Sequence, residues 1–207
     1  MAAADVVRTI SPAQALERLS VGEHIQSTRI AGLLDLDPLV VSRWLCGEDM
    51  RGVYQPIVLR DCILDGLDLE GRTFYEMVEL AGCRVALAHF NQAYFYSMLM
   101  IEDCIFEADF NARGIQSDGR LVVHNTVFAG WAEFDEISLR GRVDLAGVSF
   151  LGGTNLLHAL LDGAPTKSEQ EINLSGCGFR AADVPDGLDL SSYGVVPIVT
   201  GNVEQFR

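Results

Sequence analysis

The sequence predicts an all-β fold: a right-handed parallel β-helix of about seven to eight rungs, with a short N-terminal capping helix and a helical insertion. Three observations carry that prediction. Ten-residue segments recur at near-constant spacing, their apolar positions fall in register, and a turn-forming residue occupies the middle of each segment.

Six segments align without gaps: IVLRDCILDG from Ile57, VELAGCRVAL from Val78, LMIEDCIFEA from Leu99, LVVHNTVFAG from Leu121, VDLAGVSFLG from Val143 and INLSGCGFRA from Ile172. Their starts lie 21, 21, 22, 22 and 29 residues apart, and a weaker copy, EHIQSTRIAG, begins at Glu23. The third position is always a branched aliphatic: Leu59, Leu80, Ile101, Val123, Leu145 and Leu174. The eighth holds Leu64, Val85, Phe106, Phe128, Phe150 and Phe179. At the fifth stand Asp61, Gly82, Asp103, Asn125, Gly147 and Gly176. These residue types tolerate positive φ or cap a turn, so the column reads as a corner between two short strands. Repetition at this length stacks equivalent positions one strand spacing apart, roughly 4.8 Å. Each rung then buries its apolar side chains against its neighbours.

A shorter period runs inside each rung. Leu59, Leu64, Leu69 and Phe74 are spaced by five, as are Leu80, Val85, Phe90 and Phe95. Small residues often sit two before the apolar one, as at Cys62, Cys83, Ala88, Ala93, Cys104, Ala108 and Ala132. CILDG, LDLEG, CRVAL, AHFNQ, AYFYS, CIFEA, AEFDE and VSFLG match or nearly match the pattern small–polar–Leu/Phe–x–x. In this the chain resembles the pentapeptide repeat family, as a divergent member, over about residues 57–156 and more loosely over 23–34 and 172–190. The resemblance implies a square β-helix. No six-residue period appears, unlike the left-handed β-helices of acyltransferases, and the period of five argues against the less regular helices of polysaccharide lyases.

Residues 1–22 are the expected N-terminal cap. Ser11 can cap a helix over SPAQALERLS, with Pro12 in its first turn and Gln14 completing a capping box. Ala15, Leu16 and Leu19 give it an apolar side to lay over the open end of a solenoid. The β-helix domain follows over 23–190, with insertions at about 35–56 and 157–171. In the first, DPLVVSRWLCG predicts a helix, with Asp37 to cap it, Pro38 in its first turn and Gly47 to stop it. Val40, Val41, Trp44 and Leu45 supply its apolar face, which either packs on the rod or presents Trp44 to a partner. The second insertion reads as a projecting loop with a Gly-Ala-Pro turn, either a recognition element or an idle one. VPDGLDL at 184–190 echoes ILDGLDL at 63–69 and predicts an eighth, partial rung. Residues 191–207, with a strand broken by Pro197, are expected to cap the C-terminal end or to pair with a second copy.

Composition excludes several classes. No apolar run approaches the length of a membrane span, and the N-terminal MAAADVVRTI lacks the apolar block of a signal peptide, which points to a cytoplasmic protein. A net charge of −14 argues against direct contact with a nucleic-acid backbone, while leaving open proteins that themselves bind nucleic acid. None of the five cysteines forms a C-x-x-C pair. Cys62, Cys83, Cys104 and Cys177 share one column with Thr126 and Val148, and a line of thiols cannot make a tetrahedral metal cage. Core packing is the reading for that column. The histidines, His24, His89, His124 and His158, lack metal-ligand spacing, and neither a nucleophile elbow nor a phosphate loop is present. The chain is therefore expected to be no enzyme and to carry no cofactor or metal.

The acids do have a pattern. Residues 57–157 contain 15 acidic and 7 basic side chains. Asp61, Asp65, Asp68, Glu70, Glu102, Asp103, Glu107 and Asp109 lie next to inward positions and should face water, as should Glu133, Asp135 and Glu136. Pentapeptide repeat proteins of the quinolone-resistance group bind type II topoisomerases as duplex mimics. The resemblance in fold and charge therefore implies an acidic DNA mimic, with DNA gyrase or topoisomerase IV as protein partner. Seven or eight rungs at roughly 4.8 Å give about 34–38 Å, little more than one duplex turn, which an end-to-end homodimer would double. The competing expectation is a structural scaffold that assembles through its ends and insertions.

Overall fold

The computed structural model describes residues 7–45, 48–162, 172–186, 188 and 196–197. The first face of the rod is a seven-stranded parallel sheet: Ile25–Gln26, Ile57–Arg60, Val78–Ala81, Met98–Glu102, Arg120–His124, Val143–Ala146 and Ile172–Asn173. Six turns of a right-handed β-helix join them. Register follows the aligned columns: Leu59 pairs with Leu80, Leu80 with Ile101, Ile101 with Val123 and Val123 with Leu145. Ile25, from the weak copy, pairs with Leu59.

At the end of this face the chain turns through a left-handed residue in every rung. Ser27, Asp61, Gly82, Asp103, Asn125, Gly147 and Gly176 have φ between 47° and 68°. The eighth-position residues then line the second face, where Phe106, Phe128, Phe150 and Phe179 stack with ring centroids 5.0, 5.1 and 5.1 Å apart. The second and third faces form one 12-stranded sheet, because Thr28–Asp35 and Ile63–Asp68 run through the corner between them. The fourth face stacks Thr73–Phe74, Tyr94–Phe95, Gln116–Ser117 and Ser138–Leu139. Leu59, Leu64, Leu69 and Phe74 are all buried, so the five-residue spacing places one inward side chain on each side of the rod.

The lengthened rungs absorb their extra residue between the second and third faces. Asp65 and Gly66 fill that corner in one rung and Ala86 and Leu87 in the next. Three residues fill it afterwards: Glu107, Ala108 and Asp109, then Ala129, Gly130 and Trp131. Between the fourth and first faces the backbones themselves touch. A Cβ on Gly119 would lie 1.3 Å from the Ser97 carbonyl oxygen, and one on Gly141 1.7 Å from that of Gly119.

The N-terminal end is closed as expected. Helix α1, Pro12–Ser20, carries the capping box: Gln14 N–H donates to Ser11 Oγ (3.3 Å) and Ser11 N–H to Gln14 Oε1 (2.9 Å). Its Ala15 and Leu19 are fully buried, and strand Arg8–Ile10 pairs with Thr28–Asp35 beside it. No helix among the described residues is long and apolar enough to cross a membrane.

Two expectations are corrected. The first insertion is a β-hairpin, Val41–Leu45 paired antiparallel with Glu48–Gly52, and not a helix. Asp37 and Pro38 start only a single 3-10 turn, Asp37–Leu39. Leu36 and Leu39 enter the core there, and the β-branched and aromatic residues that follow suit a strand. The second insertion begins as helix α2, Leu156–Asp162, with Leu156, Leu157 and Leu160 in the core. It follows Thr154, which bridges Ala132 on the third face; residues 163–171 lie outside the described ones. The eighth, partial rung expected at 184–190 falls in part on 187, 189 and 190, outside the described residues, and no strand is found among the rest. Val196–Pro197 adds in parallel to Gly178–Phe179, and the rest of the expected C-terminal cap lies outside the described residues.

Candidate partner-binding surfaces

The hairpin leaves the rod between the third and fourth faces and is fixed there by aromatic contacts. Tyr54, Tyr75 and Tyr96 stack as a ladder on the outside of the fourth face, with centroids 4.4 and 4.8 Å apart and planes within 7° and 12°. The Arg43 guanidinium lies 4.4 Å from the Tyr54 ring centre, and the Tyr54 hydroxyl donates to Met50 O (2.6 Å). Desolvation pushes the Tyr75 hydroxyl up to about 12, helped by its bond with Tyr54. Because side chains alternate along a strand, the contact made by Arg43 turns Trp44 to the opposite side of the hairpin. Trp44 is 74% exposed. The tyrosines were missed by sequence reasoning, although their 21-residue spacing equals the repeat.

The eight candidate acids are distributed over three corners and two faces. Asp61 and Asp103 occupy the left-handed first corner, with Glu102 beside them at the end of the first face. Asp65 and Glu107 lie between the second and third faces, and Asp109 shares that corner. Asp68 lies on the third face, and Glu70 leads to the fourth. Arginines of the same or a neighbouring turn neutralise several of them. Asp65 pairs with Arg29 (2.9 Å) and also accepts Gly32 N–H (3.1 Å). Arg72 bridges Asp68 (2.9 Å) and Asp35, and Arg84 pairs with Glu107. Asp61 accepts from Gln26 Nε2 (3.3 Å), and Asp109 from Trp131 N–H (2.9 Å). Among the described residues, Glu70, Glu102 and Asp103 have no side-chain hydrogen bond or ion pair.

The cysteine column lies inside the rod. Cys62, Cys83, Cys104 and Cys177 are free and buried, and their thiols donate to backbone carbonyls of the preceding turn at 3.3–3.5 Å. Burial pushes the Cys177 thiol up to about 11, so near neutrality it stays protonated. His124 Nε2 sits 3.4 Å from Asp144 Oδ1. That carboxyl is held below its usual range, first by the Asn173 amide (2.7 Å) and then by His124. Among the described residues, no three His, Cys, Asp or Glu side chains are placed to hold a metal ion. What the exterior offers is a rigid display of aromatic and charged groups. No family model matches the chain, and no match is found among curated proteins or solved structures.

Proposed function

We propose that the chain is a non-enzymatic, protein-binding β-solenoid of the pentapeptide-repeat type, working in the cytoplasm. The observation that carries the reading is Trp44, three-quarters exposed on a hairpin that is anchored to the rod by Arg43 and the tyrosine ladder. Tryptophan is the residue type most enriched among interface anchors, and a rigid support lowers the ordering cost of presenting it. Buried unpaired thiols fit a reducing compartment. A photo-crosslinking residue in place of Ser42, on the same side of the strand as Trp44, tests the reading in host cells. One discrete protein adduct that disappears with Trp44→Ala is expected. Absence of any adduct, or an adduct indifferent to Trp44→Ala, would sink it.

The acidic surface supports a finer reading, in which the partner is a type II topoisomerase, DNA gyrase or topoisomerase IV, bound as if by duplex DNA. The support is the excess of 15 acidic over 7 basic residues across 57–157, with Glu70, Glu102 and Asp103 lacking a cation. Six turns at roughly 4.8 Å make a rod of roughly 29 Å, less than one duplex turn, so this reading calls for an end-to-end homodimer. Inhibition of supercoiling that weakens between low and moderate salt, and is lost when the three acids become lysine, is the expected outcome. Undiminished supercoiling by the host's gyrase, together with undiminished decatenation by its topoisomerase IV, would remove the topoisomerase and leave the Trp44 reading standing.

A further inference from the structure

Three exposed apolar side chains line the corner between the second and third faces, and a fourth, Ile63, lies beside them on the second face. Leu33, Ile63, Leu87 and Trp131 are 45%, 36%, 39% and 37% exposed. Strand register fixes their heights. Leu33 pairs with Gly66, and the pairs Leu67–Ala88, Ala88–Phe110 and Phe110–Ala132 carry that column on through Leu87, Asp109 and Trp131. Of five successive rungs, the first, third and fifth therefore present Leu33, Leu87 and Trp131. Gly66 lies between the first two, and the Leu33 side chain folds over it, with Cδ1 2.8 Å from where a Gly66 Cβ would stand.

Two rungs measure roughly 9.6 Å, and seven residues of α-helix rise about 10.5 Å. An α-helix laid along the rod thus brings residues i, i+7 and i+14 onto these three side chains. An extended strand does not, since the residue that has advanced by the same distance points to its opposite side. The charges are unequal on the two flanks. Towards the second face, Asp65 and Glu107 are matched by Arg29 and Arg84. Towards the third, Asp35 and Asp68 share one arginine, Arg72, while Glu133 has no ion pair among the described residues. A second copy, with 29 acidic against 15 basic residues, offers this flank little complementary charge.

We propose that this corner docks a basic amphipathic helix of a partner protein. Apolar residues of that helix, seven apart, cover Leu33, Leu87 and Trp131, and its basic residues run beside Asp68 and Glu133. The proposal rests on the protein-binding reading of the chain but not on Trp44. The probe is a synthetic three-heptad peptide with leucine at every seventh position and lysines along one flank. Its control has the same composition with the leucine spacing scrambled. In a Trp44→Phe background, the heptad peptide is expected to shift Trp131 fluorescence and gain helicity on binding. Leu87→Ser should weaken binding at least tenfold without changing the melting temperature, and Glu133→Gln should reduce its salt dependence. Equal binding of the scrambled peptide, no binding of either, or indifference to Leu87→Ser would overturn the proposal. Self-association abolished by Leu87→Ser would overturn it too, assigning the corner to a second copy. The Ser42 adduct is expected to survive Leu87→Ser, so failure of one surface is separable from failure of the other.

Discussion

Phe128 lies in a column of its own kind, with Phe106 and Phe150 5.0 and 5.1 Å away and nearly parallel to it. Removing the ring leaves a void that rigid rungs above and below cannot close. Phe128→Ala should cost about 3–5 kcal/mol, read as a lower urea midpoint. Phe128→Asp adds an unpaired buried charge and should leave no folded rod; near-wild-type melting of that variant would refute the rung register. A natural void lies close by. A cavity of about 20 Å³ is lined only by apolar side chains, among them Ile101, Ile115, Val123 and Phe134. A water there would find no polar partner, so it is dry. Val123→Ile, which puts the residue type of Ile101 on the next rung, should gain about 0.5–1 kcal/mol in the same assay. A loss would mean that the surrounding side chains cannot accommodate the added methylene.

Helix α1 shows what an end element does for a solenoid. The open end of the rod exposes apolar side chains, and α1 covers them with Ala15 and Leu19. Its start depends on the reciprocal Ser11–Gln14 bonds. Ser11→Ala should therefore lower stability by about 1 kcal/mol. Because the solenoid is stabilised by nearest-neighbour stacking, hydrogen exchange should accelerate first in Thr28–Asp35 and not in the central rungs. Uniform acceleration along the rod would show that the helix is coupled to the whole and is not a local lid. The hairpin obeys a different logic. Residues 41–44 are exposed, and the contacts that place the hairpin run through Arg43 and Tyr54, outside the core.

At the scale of the whole molecule, protons report on the core. An unfolded cysteine thiol ionises near about 8.5, and burial raises Cys177 to about 11. The fold favours the protonated thiol, so this contribution is complete below about pH 8.5 and is lost as pH rises towards about 11. Melting temperature should fall across that window, and Cys177→Val should flatten the fall. An unchanged profile in the variant would assign the alkaline loss to other groups. Asp144 acts in the opposite direction. The Asn173 amide and His124 hold its carboxyl low, so its contribution is present above about pH 3.9, the unfolded value, and vanishes as pH falls below it.

The columns were legible from sequence because a solenoid writes its three-dimensional neighbours at a fixed sequence distance. Leu59 and Leu80 touch because they are 21 apart, and the left-handed corner from Ser27 to Gly176 was visible as a column of Asp, Asn and Gly. A second left-handed corner, Gly71, Gln92, Gly114 and Glu136, escaped notice. Register forces Gln92 and Glu136 into a conformation that their residue types do not advertise. The helix signals at Asp37 and Pro38 were real but served one turn, because Leu36 and Leu39 were drawn into the core and what followed had only a strand to form. Trp44 was singled out from sequence, but its exposure follows from the hairpin. The sequence by itself determined the repeat, the inward side chains and the charge. Tertiary structure alone decided which outward side chains share a surface. An extra residue at a corner leaves the buried columns intact, yet it resets which loop residue stands above which, and only the stacked rungs bring Leu33, Leu87 and Trp131 into one line.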